Sequence, residues 1–283
     1  MNNRILLTFL CCFFSVAVNG QILSADFAKY LKDKGEYDAL SRLLEKDYSH
    51  LPLEQQDSLR FYKGWAMYNK KELDKAKKSF TSVSSESVFH PVANLYSAWC
   101  SLYLQETDQA QISLQSIKSS NQEVNELSSL LHTGLWLLEH KPDSAIAAMD
   151  SYSNADLRYE SYFESMNTLA NEIDSFQPKS YFLSGLMSAL IPGSGKIYAG
   201  QTGAGLSSLL LTGALGVIAG ENIVKSGWSS WNSLACIGLF GLFYLGNMYG
   251  SMISVKIYRE RFYDTFDETV LATMHVPLRN FYR

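Results

Sequence analysis

The residues that most invite a chemical reading are Gly193-Ser-Gly-Lys196, a glycine-flanked lysine of the kind that cradles phosphate. The pattern does not complete. A phosphate-binding loop needs a glycine five residues before Gly195, where Leu190 stands, and a hydroxyl residue after the lysine, where Ile197 stands. The five histidines, His50, His90, His132, His140 and His275, have no ligand spacing. Of the four cysteines, Cys11 and Cys12 lie in the N-terminal apolar run, and Cys100 and Cys236 lie in unlike surroundings, so no disulfide or cysteine metal site is expected. Glu221 is the one carboxylate inside the apolar half, at a helix end where it is expected to be exposed. No nucleophile–base pair stands out. The chain reads as a non-enzyme without metal or cofactor, and its net charge of −4 leaves no nucleic-acid footprint.

The elements around these residues divide the 283-residue chain. A short positive start is followed by an uncharged apolar run over 5–18 and then Val18-Asn-Gly20, which predicts a signal peptide over 1–20. Residues 21–174 are charged and helical in pattern. Residues 175–258 shed charge, with only Lys179, Lys196, Glu221 and Lys225 before residue 256, and 14 of the 18 glycines fall between Gly185 and Gly250. Such a combination predicts a membrane helical module. Residues 259–283 are a tail of mixed character, in which 269–276 reads as a short strand or a docking segment.

Within 21–174 small and large residues recur. Gly64, Ala76 and Phe80 are matched by Ala98, Ala110 and Leu114 at an offset of 34, and by Gly134, Ala145 and Met149 with the loop shortened by one. Ala39 and Leu43 look like the second helix of an earlier unit. A small residue on the first helix of a hairpin admits the second, and the large residue four positions on fills the gap. The pattern resembles the tetratricopeptide repeat, with the consensus tryptophan and terminal proline mostly missing. The resemblance implies a solenoid of helical hairpins that binds a protein or peptide along its concave surface. Tyr159, Tyr162, Phe163, Met166 and Leu169 form an amphipathic pattern expected to cap the last repeat.

In the membrane half, 181–191 is apolar but short, while 197–220 and 232–255 are each long enough to span a bilayer. Thr212, Gly216 and Gly220 share one helical stripe, and Gly246, Gly250 and Ser254 share another. The first stripe is expected to face Ala235 and Gly238; the second, Gly203 and Ser207 or the short segment. Pro192, Gly193, Gly195, Tyr198 and Gly200 make a structural turn. This stretch resembles a small bacterial membrane module with a Pro-Gly-x-Gly-x-x-Tyr-x-Gly turn and a glycine–leucine helix. It is similar, more distantly, to a two-helix membrane domain with Gly-x-x-x-(Phe/Tyr)-Tyr-x-Gly before its first helix. Lys196 departs from the first pattern, where glutamine is common. The resemblance implies an envelope protein without established activity.

The fold class expected is all-α: a tetratricopeptide-like helical hairpin solenoid followed by a membrane helical module of two to three segments. The function expected is a membrane-anchored periplasmic scaffold in the bacterial inner membrane, binding protein or peptide partners; the alternative is an envelope transport or biogenesis component whose membrane module is the working part. Length favours two crossings with a re-entrant piece. The basic Lys256–Arg261 segment favours three by the positive-inside tendency, and the balance falls to three.

Overall fold

The computed structural model describes residues 25–150 and 157–282; the expected signal peptide lies outside them. All regular structure among the described residues is helical. Two compact units result: residues 1–171 with 270–283, and residues 172–269.

The first unit is a run of helical hairpins. α1 (Ala25–Asp33) pairs with α2 (Tyr37–Leu43), α3 (Leu53–Asn69) with α4 (Leu73–Thr81), α5 (His90–Tyr103) with α6 (Thr107–Gln115), and α7 (Gln122–Leu138) with α8 (Pro142–Asp150). Each hairpin turns the same way. Gly35, Lys71, Gln105 and His140 adopt positive φ at the ends of the first helices. The next amide then reaches back five residues, as in Glu72 N–H to Met67 O (2.9 Å) and Glu106 N–H to Ser101 O (2.8 Å). This closure satisfies carbonyls that the helix end would leave bare.

The small-residue pattern explains the packing. A Cβ on Gly64 would sit 2.6 Å from the Phe80 ring, so the glycine makes room for that ring. Ala76, Ala98, Ala110 and Ala145 are fully buried, and Phe80 and Leu114 nearly so. Where α3 meets the loop before α5, Asp57 is buried and held by Arg60, by Ser84 N–H and by the Ser84 hydroxyl. Burial pushes its carboxyl up, but those hydrogen bonds and the Arg60 charge outweigh it and hold the group below the ordinary carboxylate range. α9 (Leu157–Ser175) follows, with Tyr159, Met166, Leu169 and Ala170 buried and the Tyr159 hydroxyl donating to Glu123 (2.8 Å).

The second unit holds α10 (Tyr181–Leu190), α11 (Ser194–Tyr198), α12 (Thr202–Ser226) and most of α13 (Trp231–Phe281). α12 and α13 are the two helices long and apolar enough to cross a membrane. Their large apolar residues point outward: Leu210, Val217, Leu242 and Leu245 are all exposed. A soluble core hairpin would hide these side chains, whereas a lipid-facing one would not. Trp228 and Trp231 flank the connection between the two helices.

The tail is not a strand. Residues 269–276 continue α13, which runs without a break to Phe281 with Pro277 inside it. Phe266, Val270, Met274 and Leu278, each four residues from the last, form a buried stripe. That spacing is helical, and the β-branched residues of the segment did not override it.

Candidate functional site

Two places gather side chains with more to do than fill space. The first is the face made by α3, α5 and α7, onto which residues 270–282 dock within the same unit. Trp65 and Tyr68 come from α3 and Tyr96 and Trp99 from α5, one turn apart on each helix, so each pair shares a face. The Tyr68 hydroxyl meets His275 Nε2 at 2.6 Å. The His275 ring stacks on Trp99 with centroids 4.4 Å apart. The Tyr96 hydroxyl donates to the Leu278 carbonyl at 2.8 Å, fully buried. Tyr282 sets its edge on Phe61 (4.9 Å) and Trp65 (5.2 Å), and Lys32 lies 4.6 Å from the centroid of its ring. Pro277 leaves no amide at its own position, a loss tolerated near the end of a helix whose carbonyls find side-chain donors.

Gly134 shows what the tail does. Its expected partner was Met149, yet Met149 is only half-buried, and a Cβ on Gly134 would lie 1.9 Å from Met274 Sδ. The notch in the fourth hairpin receives Met274 of the tail.

Burial lowers the pKa of the His275 ring, and the nearby cations Arg279 and Lys71 act in the same direction. Burial raises the phenols of Tyr68, Tyr96 and Tyr282, so all three remain protonated donors. The Cys100 thiol, buried beside them, is pushed up to about 12 and is unreactive. At the edge of the docked segment an open cavity of about 800 Å3 is bounded by Lys32, Tyr37, Asn69 and Arg279.

The second place is the turn around Gly195. The Ser184 hydroxyl donates to Gly195 O (3.0 Å) and Ser251 O (2.8 Å), Gly195 N–H donates to Ser188 Oγ (3.0 Å), and the Ser188 and Ser251 hydroxyls meet at 2.6 Å. The Tyr244 hydroxyl donates to Ala189 O. These bonds knit α10 and α11 to α13. A Cβ on Gly195 would fall 2.0 Å from Ser184 O, and one on Gly193, whose φ is +87°, 2.0 Å from Gly205 O. Only glycine fits either position. Gly200, also at positive φ, starts α12 by the same five-residue closure, Gln201 N–H to Lys196 O (2.8 Å). Pro192 sits in the bend after α10.

The start of α10 meets the end of α11. Lys179 donates to Tyr198 O (2.8 Å), and Ser180 N–H donates to Tyr198 Oη (3.2 Å). The segment therefore goes in and comes back at one end. Ten residues of α10 rise about 15 Å, half a hydrocarbon core. Residues 270–282 share a unit with the repeats, so any membrane crossed between residues 171 and 270 is crossed an even number of times. Among the described residues α12 and α13 are long and apolar enough to cross a membrane, and α10 is shorter. The cations at this end do structural work. Arg259 donates to Lys179 O (3.0 Å) and lies over Tyr181 (4.3 Å), and Lys179 lies over Tyr258 (4.2 Å).

Of the two small-residue stripes, Thr212 and Ser254 are buried, and Ser254 donates to Gln201 (3.0 Å). A Cβ on Gly216 would meet Phe240 at 3.1 Å, and one on Gly250 would meet Lys196 Cε at 3.5 Å. Gly220, Gly246 and Gly238 face open space. The second stripe thus lies against the α11 segment at Gly250 and Ser254, and Gly185 approaches Met252 beside it. Of the two readings of 269–276, strand or docking segment, the second holds, and the spacing of Val270, Met274 and Leu278 carried the signal for a helix. No protein-family model, curated protein or solved structure matches this chain.

Proposed function

We propose that this chain is a non-enzymatic, membrane-anchored scaffold whose tetratricopeptide-like repeats bind an amphipathic helix of a protein partner. The observation that carries this reading is the docked tail. The face of α3, α5 and α7 holds a helix through aromatic edges, a buried tyrosine–carbonyl bond and a methionine in the Gly134 notch. Helix-in-groove recognition uses apolar anchors at such spacing. The tail serves as the resident occupant, and a partner helix with like anchors displaces it or binds when it is released.

The anchor is the module of residues 172–269, crossing the bacterial inner membrane twice with α10 and α11 as a re-entrant hairpin. The N-terminal apolar run supports export, with repeats and tail in the periplasm. The buried serine network of the module favours a second reading, in which the module is the working part of an envelope transport or biogenesis machine.

A photo-crosslinker at Trp99 in the full-length protein in its native membrane tests the first reading. Wild type should crosslink within the chain to the tail. Leu278→Asp, which expels the tail, should give an adduct with a second polypeptide. Partners retrieved by residues 172–269 alone, with no adduct from Trp99, would favour the second reading and sink the first.

A further inference from the structure

We propose that Lys196 binds a phosphate group in a site between α11, α12 and α13, an inference that rests on the membrane reading above. Lys196 stands in the re-entrant turn, half-buried. Its Nζ donates to Ser208 Oγ of α12 at 2.6 Å, and Gly250 of α13 lies against it. No carboxylate of the described residues lies within 4.0 Å of it. Two carboxylates of the module are taken by other lysines: Glu221 pairs with Lys225 and Glu260 with Lys256.

An ammonium set among apolar helices with one neutral acceptor leaves two of its donors for an external group. A second observation points to the same place. Asn247 is 5% exposed, and neither its amide nitrogen nor its amide oxygen has a partner. It lies three residues before Gly250, on the same face of α13. Buried amides in native proteins are paired, so an amide donor left open on the face of α13 that carries Gly250 marks a place for an anion with several acceptor oxygens.

Depth selects the ligand class. Gln201 and Ser254 meet at the end where Lys179 and Arg259 gather. Gly250 is four residues below Ser254, about 6 Å along the helix. A phosphodiester at the headgroup level reaches this depth, and the cations Lys179, Lys256 and Arg259 at the same end attract it. Lys196 binds the phosphate oxygens, Ser208 orients the ammonium, and Asn247 contributes the amide donor.

The test uses the full-length protein in neutral detergent, with thermal unfolding followed during titration of short-chain phosphatidylglycerol, short-chain phosphatidylcholine or inorganic phosphate. Phosphatidylglycerol should raise the midpoint saturably, and phosphatidylcholine should do so at least tenfold more weakly. No response to inorganic phosphate assigns a lipid source; an equal response that also depends on Lys196 assigns a free phosphate. Lys196→Gln should weaken the effect at least tenfold, and Lys196→Arg should retain most of it. If Lys196→Gln does not fold, Ser208→Ala decides: a severalfold weakening supports the site and no change overturns it. Equal responses to the two lipids, or an unchanged response in Lys196→Gln, overturn the proposal. Recovery of the protein in the soluble fraction without detergent would instead overturn the membrane reading itself.

Discussion

Gly195→Ala puts the turn between α10 and α11 to a quantitative test. The added methyl would lie 2.0 Å from Ser184 O and 2.6 Å from Ser188 Oγ. A carbon and a carbonyl oxygen separate to roughly 3.2 Å, so α10 must retreat by about 1 Å or the turn must open. Either movement stretches the Ser184–Gly195 and Gly195–Ser188 bonds, both 3.0 Å, beyond useful length. Interhelical hydrogen bonds in membranes contribute about 0.6 kcal/mol on average, and up to about 1.7. Overpacking adds about 1–3 kcal/mol. The sum is roughly 2–4 kcal/mol, a factor of about 30 to 1,000 in the unfolding equilibrium. The assay is reversible unfolding in mixed micelles, with Gly203→Ala as the control, because a Cβ there meets nothing within 4 Å. If Gly195→Ala unfolds at the same denaturant fraction as Gly203→Ala, the close approach of α10 and α11 is wrong.

Three further outcomes are expected of the first unit. Leu278→Ala removes a fully buried side chain and should destabilise that unit by about 2–5 kcal/mol in chemical unfolding. Gly134→Ala drives a methyl into Met274 and should speed amide exchange selectively over residues 270–282, leaving α3 to α6 protected. Acid should loosen the tail: His275 binds its proton less readily when docked than at its ordinary value of 6.5, so the released form takes up more protons. Stability is complete above pH 6.5 and declines as the pH falls through 6.5 toward the lower folded value. His90 and His132, also lowered by burial, act in the same sense. His275→Gln should therefore reduce the acid sensitivity measured by tail exchange without abolishing that of the whole unit.

Much of the architecture could be read from the chain because it depends on neighbours in sequence. The offset of 34 between Gly64 and Ala98 marks successive hairpins, and the left-handed residues Lys71 and Gln105 keep the same spacing. The need for glycine at 193 and 195 was visible beside Pro192. The tail was harder. Val270, Met274 and Leu278 look like any amphipathic stripe, and nothing local says that Met274 fills the Gly134 notch or that the Leu278 carbonyl meets Tyr96, more than 130 residues away. The same holds for Lys196, which lies against Ser208 and Gly250.

Helix positions, the hairpin spacing, the two membrane-length runs and the glycine turn are legible residue by residue along the chain. Each follows from 3.6-residue periodicity, chain reversal at positive φ, or a shortage of charge, and all of these are local properties. Long-range packing sets the rest: α10 and α11 fold back to one end, residues 270–282 occupy the face of α3, α5 and α7, and Gly134 makes room for Met274. Such pairings arise when surfaces already formed compete for the same apolar partners, and buried area and hydrogen bonds between distant segments choose the winner.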